Sequence, residues 1–378
     1  MDITFLLGNG FDIQCGLKTS YLDFYNHILE KKYSIDFNKE FDEKLISKID
    51  NIIYQEIYNS KDNIKNWADL EFQLGVFTKQ LKEENQVGRL ADKFLEDFED
   101  LWADLRDYLE TIQIQDDIEI SEDFSEVLFK TMDNFFEGLL SQEYDEINNM
   151  LMHNNNSHYN YSFISFNYTN SLQKIIKKCS KTSKENIFNG TNLRQVFNSI
   201  IINAHGTVEN LLTLGLNDET QLATDFFDDT DLYDLIKPIS LANNREYMRR
   251  DAENVIQGSD IIVIFGMSIG STDKHWWEKI ANTLLKNENK KLIIHLYEEK
   301  LSSSAPRRKR IRRESKENEF LSLLDSLDLS EEQGLQLRKQ MYVVTNSQYI
   351  MNVDLGKYLN LDKNKSDNII DFEAKDIV

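Results

Sequence analysis

The stretch Ile3–Phe24 reads ITFLLGNGFDIQCGLKTSYLDF. A short apolar run meets glycine, asparagine and glycine, and the chain then turns into a helix-forming segment. Glycines directly after a strand let the backbone approach a pyrophosphate, and the following helix start presents free N–H groups. Gly8, Asn9, Gly10, Phe11, Asp12 and Thr19 are therefore candidate nucleotide contacts, with Asp12 placed to bond a ribose hydroxyl or to cap the turn. The string departs from two known patterns. Ile13 stands where the dinucleotide fingerprint needs a third glycine, and Leu17 separates Gly16 from Lys18 where a P-loop needs them adjacent. A structural turn without a ligand is the plain alternative.

Five further runs dense in Ile, Val, Leu, Phe or Tyr predict strands at Tyr161–Phe166, Ser199–Ala204, Ile261–Phe265, Leu292–Tyr297 and Met341–Thr345. Apolar residues at consecutive positions are expected of strands buried on both faces of a parallel sheet. Several runs end alike: Gly8-Asn9-Gly10, Asn167-Tyr168-Thr169, His205-Gly206 and Gly266-Met267-Ser268. Ligands of open α/β sheets sit beyond the strand C-termini, so these four ends form the candidate cleft.

The stretch between the first and second strands is too long for a simple crossover. In Ala91–Ile112, Phe94, Leu95, Phe98, Leu101, Trp102, Leu105, Tyr108 and Leu109 recur at three- and four-residue steps opposite a face of acids. Asp36–Ser60 and Ser125–Met152 repeat that pattern more weakly. The expected architecture is a Rossmann-like, mostly parallel sheet flanked by helices with a large helical insertion. Residues 1–29 and 156–360 form the nucleotide-binding domain, 30–155 the insertion and 361–378 a flexible tail.

Composition narrows the classes. The 378 residues are 40% hydrophobic and 29% charged, as in a soluble domain with a sizeable core. No run approaches the roughly 20 apolar residues of a membrane helix, and the N-terminus has no secretory pattern. Two cysteines, Cys15 and Cys179, suit neither a disulfide scaffold nor a four-cysteine zinc module, and a reducing cytoplasm is the expected location. No HExxH or CxxC spacing marks a metal site. The net charge of −22 repels polyanions on average. Pro306–Arg313, PRRKRIRR, opposes it with six basic residues in eight. A solvated loop is one reading of that run and a nucleic-acid or polyphosphate contact the other.

Chemistry at the strand ends rests on few residues. Asn167 can orient a ribose or an attacking water, or cap the helix that starts near Leu172. His205 closes a hydrophobic strand, next to Gly206, and is a candidate general base. Gly266 and Ser268 can line a nucleotide, and Asp273 can hold their loop or cap the helix carrying His275, Trp276 and Trp277. Gly266–Gly270 also spells the GxSxG of a nucleophile elbow, but His205 precedes Ser268, which is not the α/β-hydrolase order. Asp69 and Glu71 of Trp67–Glu71 either reach the cleft or lie on a solvated helix face.

These strings together resemble the AbiH family of bacterial abortive-infection proteins: GNGFDIQCGLKTSYLDF at Gly8–Phe24, WADLE at Trp67–Glu71, SFNYTNSL at Ser165–Leu172, AHG at Ala204–Gly206 and FGMSIGSTD at Phe265–Asp273. A more distant similarity is to the sirtuin-like NAD-binding fold. Gly8, Gly10, Gly16 and Leu17 follow its first loop, Asn167 and His205 match its catalytic Asn and His, and Gly266 and Ser268 match its G-x-S loop. Lys18, Tyr21 and Thr169 depart from it, and its zinc cysteines are missing. The resemblance thus implies an antiphage protein that binds NAD or a related nucleotide and hydrolyses the N-glycosidic bond, rather than a protein deacylase. It implies NAD as substrate or ligand with no resident cofactor, and His205 and Asn167 as the catalytic pair. Two alternatives stay open. One is a non-catalytic nucleotide sensor that signals through its helical insertion to a second copy or a defence partner. The other is a nucleic-acid-acting effector that uses residues 306–313.

Overall fold

The computed structural model describes residues 1–61, 67–83, 87–114, 122–153, 158–179, 194–210, 212–297, 306–345 and 347. Residues 154–157 of the polar stretch His153–His158, expected as a linker back to the sheet, and the tail at 361–378 lie outside the described residues. All six expected strands form: β1 (Asp2–Leu7), β2 (His158–Ser165), β3 (Arg194–Asn203), β4 (Ile261–Phe265), β5 (Lys291–His295) and β6 (Met341–Val344). They pair in parallel in the order β3-β2-β1-β4-β5-β6. This is a doubly wound Rossmann-like sheet, and its order reverses between β1 and β4, which makes that gap the switch point.

Period-two alternation sorts β1 onto two cores. Ile3, Phe5 and Leu7 face one side, where Phe5 stacks with Phe163 and meets Phe135 edge-on. That face is covered by α1 (Asn9–Gln14), α7 (Glu122–Asp133), α8 (Ser141–Met152) and α9 (Ser171–Cys179). Leu6 faces the other side with Ile262 and Ile264, under α11 (Lys237–Gly258), α12 (Lys274–Leu285), α13 (Pro306–Ser322) and α14 (Glu331–Gln340). Among the described residues no helix is long and apolar enough to cross a membrane.

The long stretch between β1 and β2 has two uses. Its later part, α7 and α8, covers the sheet. Its earlier part, α2 (Tyr21–Tyr33), α3 (Glu43–Ile46), α4 (Ile52–Asn59), α5 (Trp67–Glu83) and α6 (Val87–Ile112), builds a separate apolar core. Helix α6 buries Phe94, Phe98, Leu101, Leu105 and Leu109 and leaves Asp92, Glu96, Glu99, Asp100, Asp107 and Glu110 exposed, as its periodicity requires. The chain after β3 also joins this core through Val208, Leu214, Leu216, Phe226 and, in α10 (Leu232–Leu235), Leu235. The helical body is thus assembled from two separate lengths of chain.

One sequence expectation is corrected at the other edge. The basic run at 306–313 is the start of α13, not a loop, with proline at its first position. Arg313 turns inward and pairs with Glu143 of α8, while Arg307, Arg308 and Arg310 stay exposed.

Candidate functional site

A cleft of about 240 Å³ opens at the switch point. Its floor is two loops pressed together. Gly8 N–H donates to Phe265 O at 3.0 Å and Gly10 N–H to Gly266 O at 2.6 Å. A Cβ on Gly8 would lie 2.2 Å from Met267 Cβ, and one on Gly10 would lie 2.6 Å from Gly266 Cα. Close approach of backbones therefore accounts for these glycines without a ligand, and the two N–H groups are already engaged. Gly266 adds a left-handed φ of 67° that disfavours any side chain.

Above this floor stand two polar groups. In the first, Asp12 of α1 is buried and accepts from Asn167 Nδ2 at 2.9 Å and from Thr169 Oγ1 at 2.6 Å. Burial pushes its carboxyl up to about 6, against the lowering pull of those two bonds. Asp12 thus ties α1 to the loop that follows β2 and is not a turn cap. Asn167 is not the cap of α9 either, since its amide is turned to Asp12. Its Oδ1 is buried and has no partner among the described residues.

The second group is a chain of buried charges. His205, just past β3, meets Asp273 Oδ1 through Nε2 at 2.8 Å. Lys237 Nζ donates to the same oxygen at 3.1 Å and to Glu71 Oε2 at 2.8 Å. Glu71 Oε1 in turn lies 3.4 Å from both the Tyr168 hydroxyl and Gly215 N. Burial opposes ionisation of Asp273, yet Lys237 and His205 hold its carboxyl well below the usual carboxylate range. Burial likewise favours a neutral Lys237 amine, but Asp273 and Glu71 outweigh it and raise the group. Burial, with Glu71 and Asp273 nearby, pushes the Tyr168 hydroxyl well above its ordinary value. Asp273 sits at the cap position of α12 without bonding that helix's backbone.

Of the residues singled out in the sequence, Gly8, Asn9, Gly10, Asp12, Thr19, Asn167, His205, Gly266, Ser268 and Asp273 all line the cleft. Phe11 does not; it is buried in the core beneath the sheet. Gly206 does not either; it supplies the turn after His205, with φ 74°. Asn9 lines the cleft while its amide holds Thr19 O at 2.9 Å, closing the loop that follows α1. Ser268 is exposed at the rim and His205 pairs with Asp273 instead, so the nucleophile-elbow reading fails. Glu71 reaches the site and is buried, the first of the two placements open to it and not the solvated face. Lys237 was missed entirely. A lysine directly before Pro238 at a helix start, where the dipole favours anions, was the available signal. None of the basic residues of α13 lines the cleft. Among the described residues no group of three His, Cys, Asp or Glu side chains is arranged to hold a metal ion.

No curated protein matches the chain. The family described as "Bacteriophage abortive infection AbiH" matches residues 4–295, a span that runs from within β1 to the end of β5 and takes in every cleft residue named above. The chain belongs to the AbiH family of bacteriophage abortive-infection proteins.

Proposed function

We propose that this abortive-infection protein binds a nucleotide in the switch-point cleft and hydrolyses its N-glycosidic bond, with NAD as the leading substrate and no resident cofactor. One observation carries the reading. An imidazole, an unpaired amide oxygen and a carboxyl with a near-neutral pKa converge at the C-terminal ends of β1, β2 and β3, beside the β4 loop. Perturbed titratable groups in a cleft mark functional sites, and this cleft lies where α/β sheets bind ligands. Its volume of about 240 Å³ suits the nucleoside portion of a dinucleotide, with the remainder lying toward solvent.

The chemistry needs no group beyond water. The bond from ribose C1′ to the nicotinamide nitrogen breaks, and its electron pair neutralises the pyridinium. Positive charge develops on the ribose, facing Asp12, whose ionised form stabilises it. Asn167 Oδ1 accepts from a ribose hydroxyl or from the attacking water. Water adds at C1′ while His205 takes its proton, so the products are nicotinamide, ADP-ribose and one proton. The helical body, which contributes Glu71 to the cleft, is the surface through which a second copy or a defence partner communicates with it.

Nucleotide profiling by mass spectrometry in phage-infected cells tests this reading. Cells with the wild-type protein lose NAD and gain nicotinamide and ADP-ribose, and cells with His205→Ala do not. Unchanged pools in both would end the hydrolase claim. Tight NAD binding without turnover would instead leave a nucleotide sensor.

A further inference from the structure

The four side chains Glu71, Lys237, Asp273 and His205 form a continuous chain from α5 of the helical body to the cleft. Each of the three that precede the imidazole departs from its local preference. Lys237 is a cation at the first position of a 22-residue helix, and its side chain is only 3% exposed. Asp273 leaves the backbone of α12 uncapped. Glu71 is a carboxylate buried to the same 3% within a helix that could have kept it in water. Removing two charges of a pair from water is costly, and hydrophobic replacements are often no less stable. Such violations of local rules concentrate where function requires them.

We propose that Glu71 and Lys237 are positioning residues for His205, acting through Asp273 to fix the imidazole as its Nε2–H tautomer and to leave Nδ1 as the basic nitrogen. Proton bookkeeping carries the assignment. Asp273 Oδ1 faces the Lys237 ammonium and the His205 ring together, so as a carboxylate it can only accept from both. Nε2 must then bear the hydrogen, and the lone pair lies on Nδ1, which has no partner among the described residues. Charge bookkeeping explains Glu71. Asp273 and Lys237 alone sum to zero, and Glu71 brings the buried set to −1, which balances the imidazolium formed when His205 takes a proton. The other charged or titratable groups that share a cavity with His205 are Asp12, Tyr21 and Tyr168 in the cleft, and Arg249 and His275 behind it.

This inference deepens the hydrolase reading and rests on it for its purpose, but its test does not need turnover. In ¹⁵N-histidine-labelled full-length protein, the His205 signals are identified by their loss in His205→Gln. The expected wild-type pattern at high pH is a protonated Nε2 and a bare Nδ1, and an Nδ1–H tautomer would overturn the proposal. Glu71→Gln should move the His205 Nε2–H proton resonance upfield and Lys237→Met should move it downfield, because the first makes Asp273 a weaker acceptor and the second a stronger one. A resonance that does not move, or that moves the same way in both variants, would also overturn it. If Lys237→Met does not fold, the wild-type tautomer and Glu71→Gln still decide. A protein that meets these expectations yet leaves NAD intact would refute the hydrolase reading alone.

Discussion

Asp12 and Asp273 are both buried carboxylates lining one cleft, yet their surroundings drive them apart. Asp12 accepts two neutral donors, Asn167 and Thr169, and no cation pairs with it among the described residues, so burial prevails and its pKa rises to about 6. Asp273 lies between Lys237 and His205, and their charge prevails over burial. A pair of acids separated in this way divides the work of a site: one can change protonation near neutral pH, and the other stays ionised to hold its neighbours. What distinguishes them is the Lys237 ammonium together with the His205 ring, the first contributed by a helix start that no glycine motif announces.

The comparison breaks most forcefully at Lys237. Lys237→Met leaves Glu71 and Asp273 as uncompensated buried charges, and denaturant unfolding should register a loss of about 3–5 kcal/mol. Adding Glu71→Gln to that variant should recover part of the loss, which a purely steric defect would not do. At Asp12 the sign is opposite to that of a salt-bridged acid. A folded-state pKa near 6 against an unfolded value of 3.8 means that the native state binds more protons in that window. Stability therefore falls by roughly 3 kcal/mol as pH rises from about 4 to about 6, and it is level on either side. Asp12→Asn should flatten that slope in equilibrium unfolding measured across the window. If the slope persists in the variant, its origin lies elsewhere.

Smaller effects sharpen the contrast. Gly10→Ala drives a Cβ to within 2.6 Å of Gly266 Cα, and the rigid loop pair should lose about 1–3 kcal/mol in thermal or denaturant unfolding. Thr169→Val removes one of the two bonds that favour ionised Asp12. The upper end of the falling slope, which the folded-state pKa of Asp12 sets, should then move upward by less than a pH unit, and a downward shift would contradict the assigned causes.

The parts of this arrangement that follow local rules were legible in the sequence. Consecutive apolar residues marked β1 and β4, and the three- and four-residue periodicity marked α6. Asn167, His205 and Asp273 stood out because they end or follow strands. Lys237 did not, and Glu71 was readable only as an acid of either the cleft or a solvated face, since the meaning of both depends on a contact between α5 and the start of α11, far apart in the chain. A buried lysine looks in sequence like a solvated one until its two carboxylates are found. The basic run at 306–313 misled for the converse reason: its charge density suggested a loop, while proline at the first position and buried Arg313 and Phe320 anchor it as a helix. The glycines at 8 and 10 were readable as necessary, but the close approach they permit is to the β4 loop.

The most direct test of the central claim is nicotinamide release from NAD by the purified full-length protein, followed by proton NMR from pH 5 to 8. The account predicts turnover that falls away below about pH 6 as Asp12 takes up its proton, and a rate on the order of 10²–10⁴ lower in His205→Ala. Absence of nicotinamide across the whole range, or equal release by His205→Ala, would contradict it.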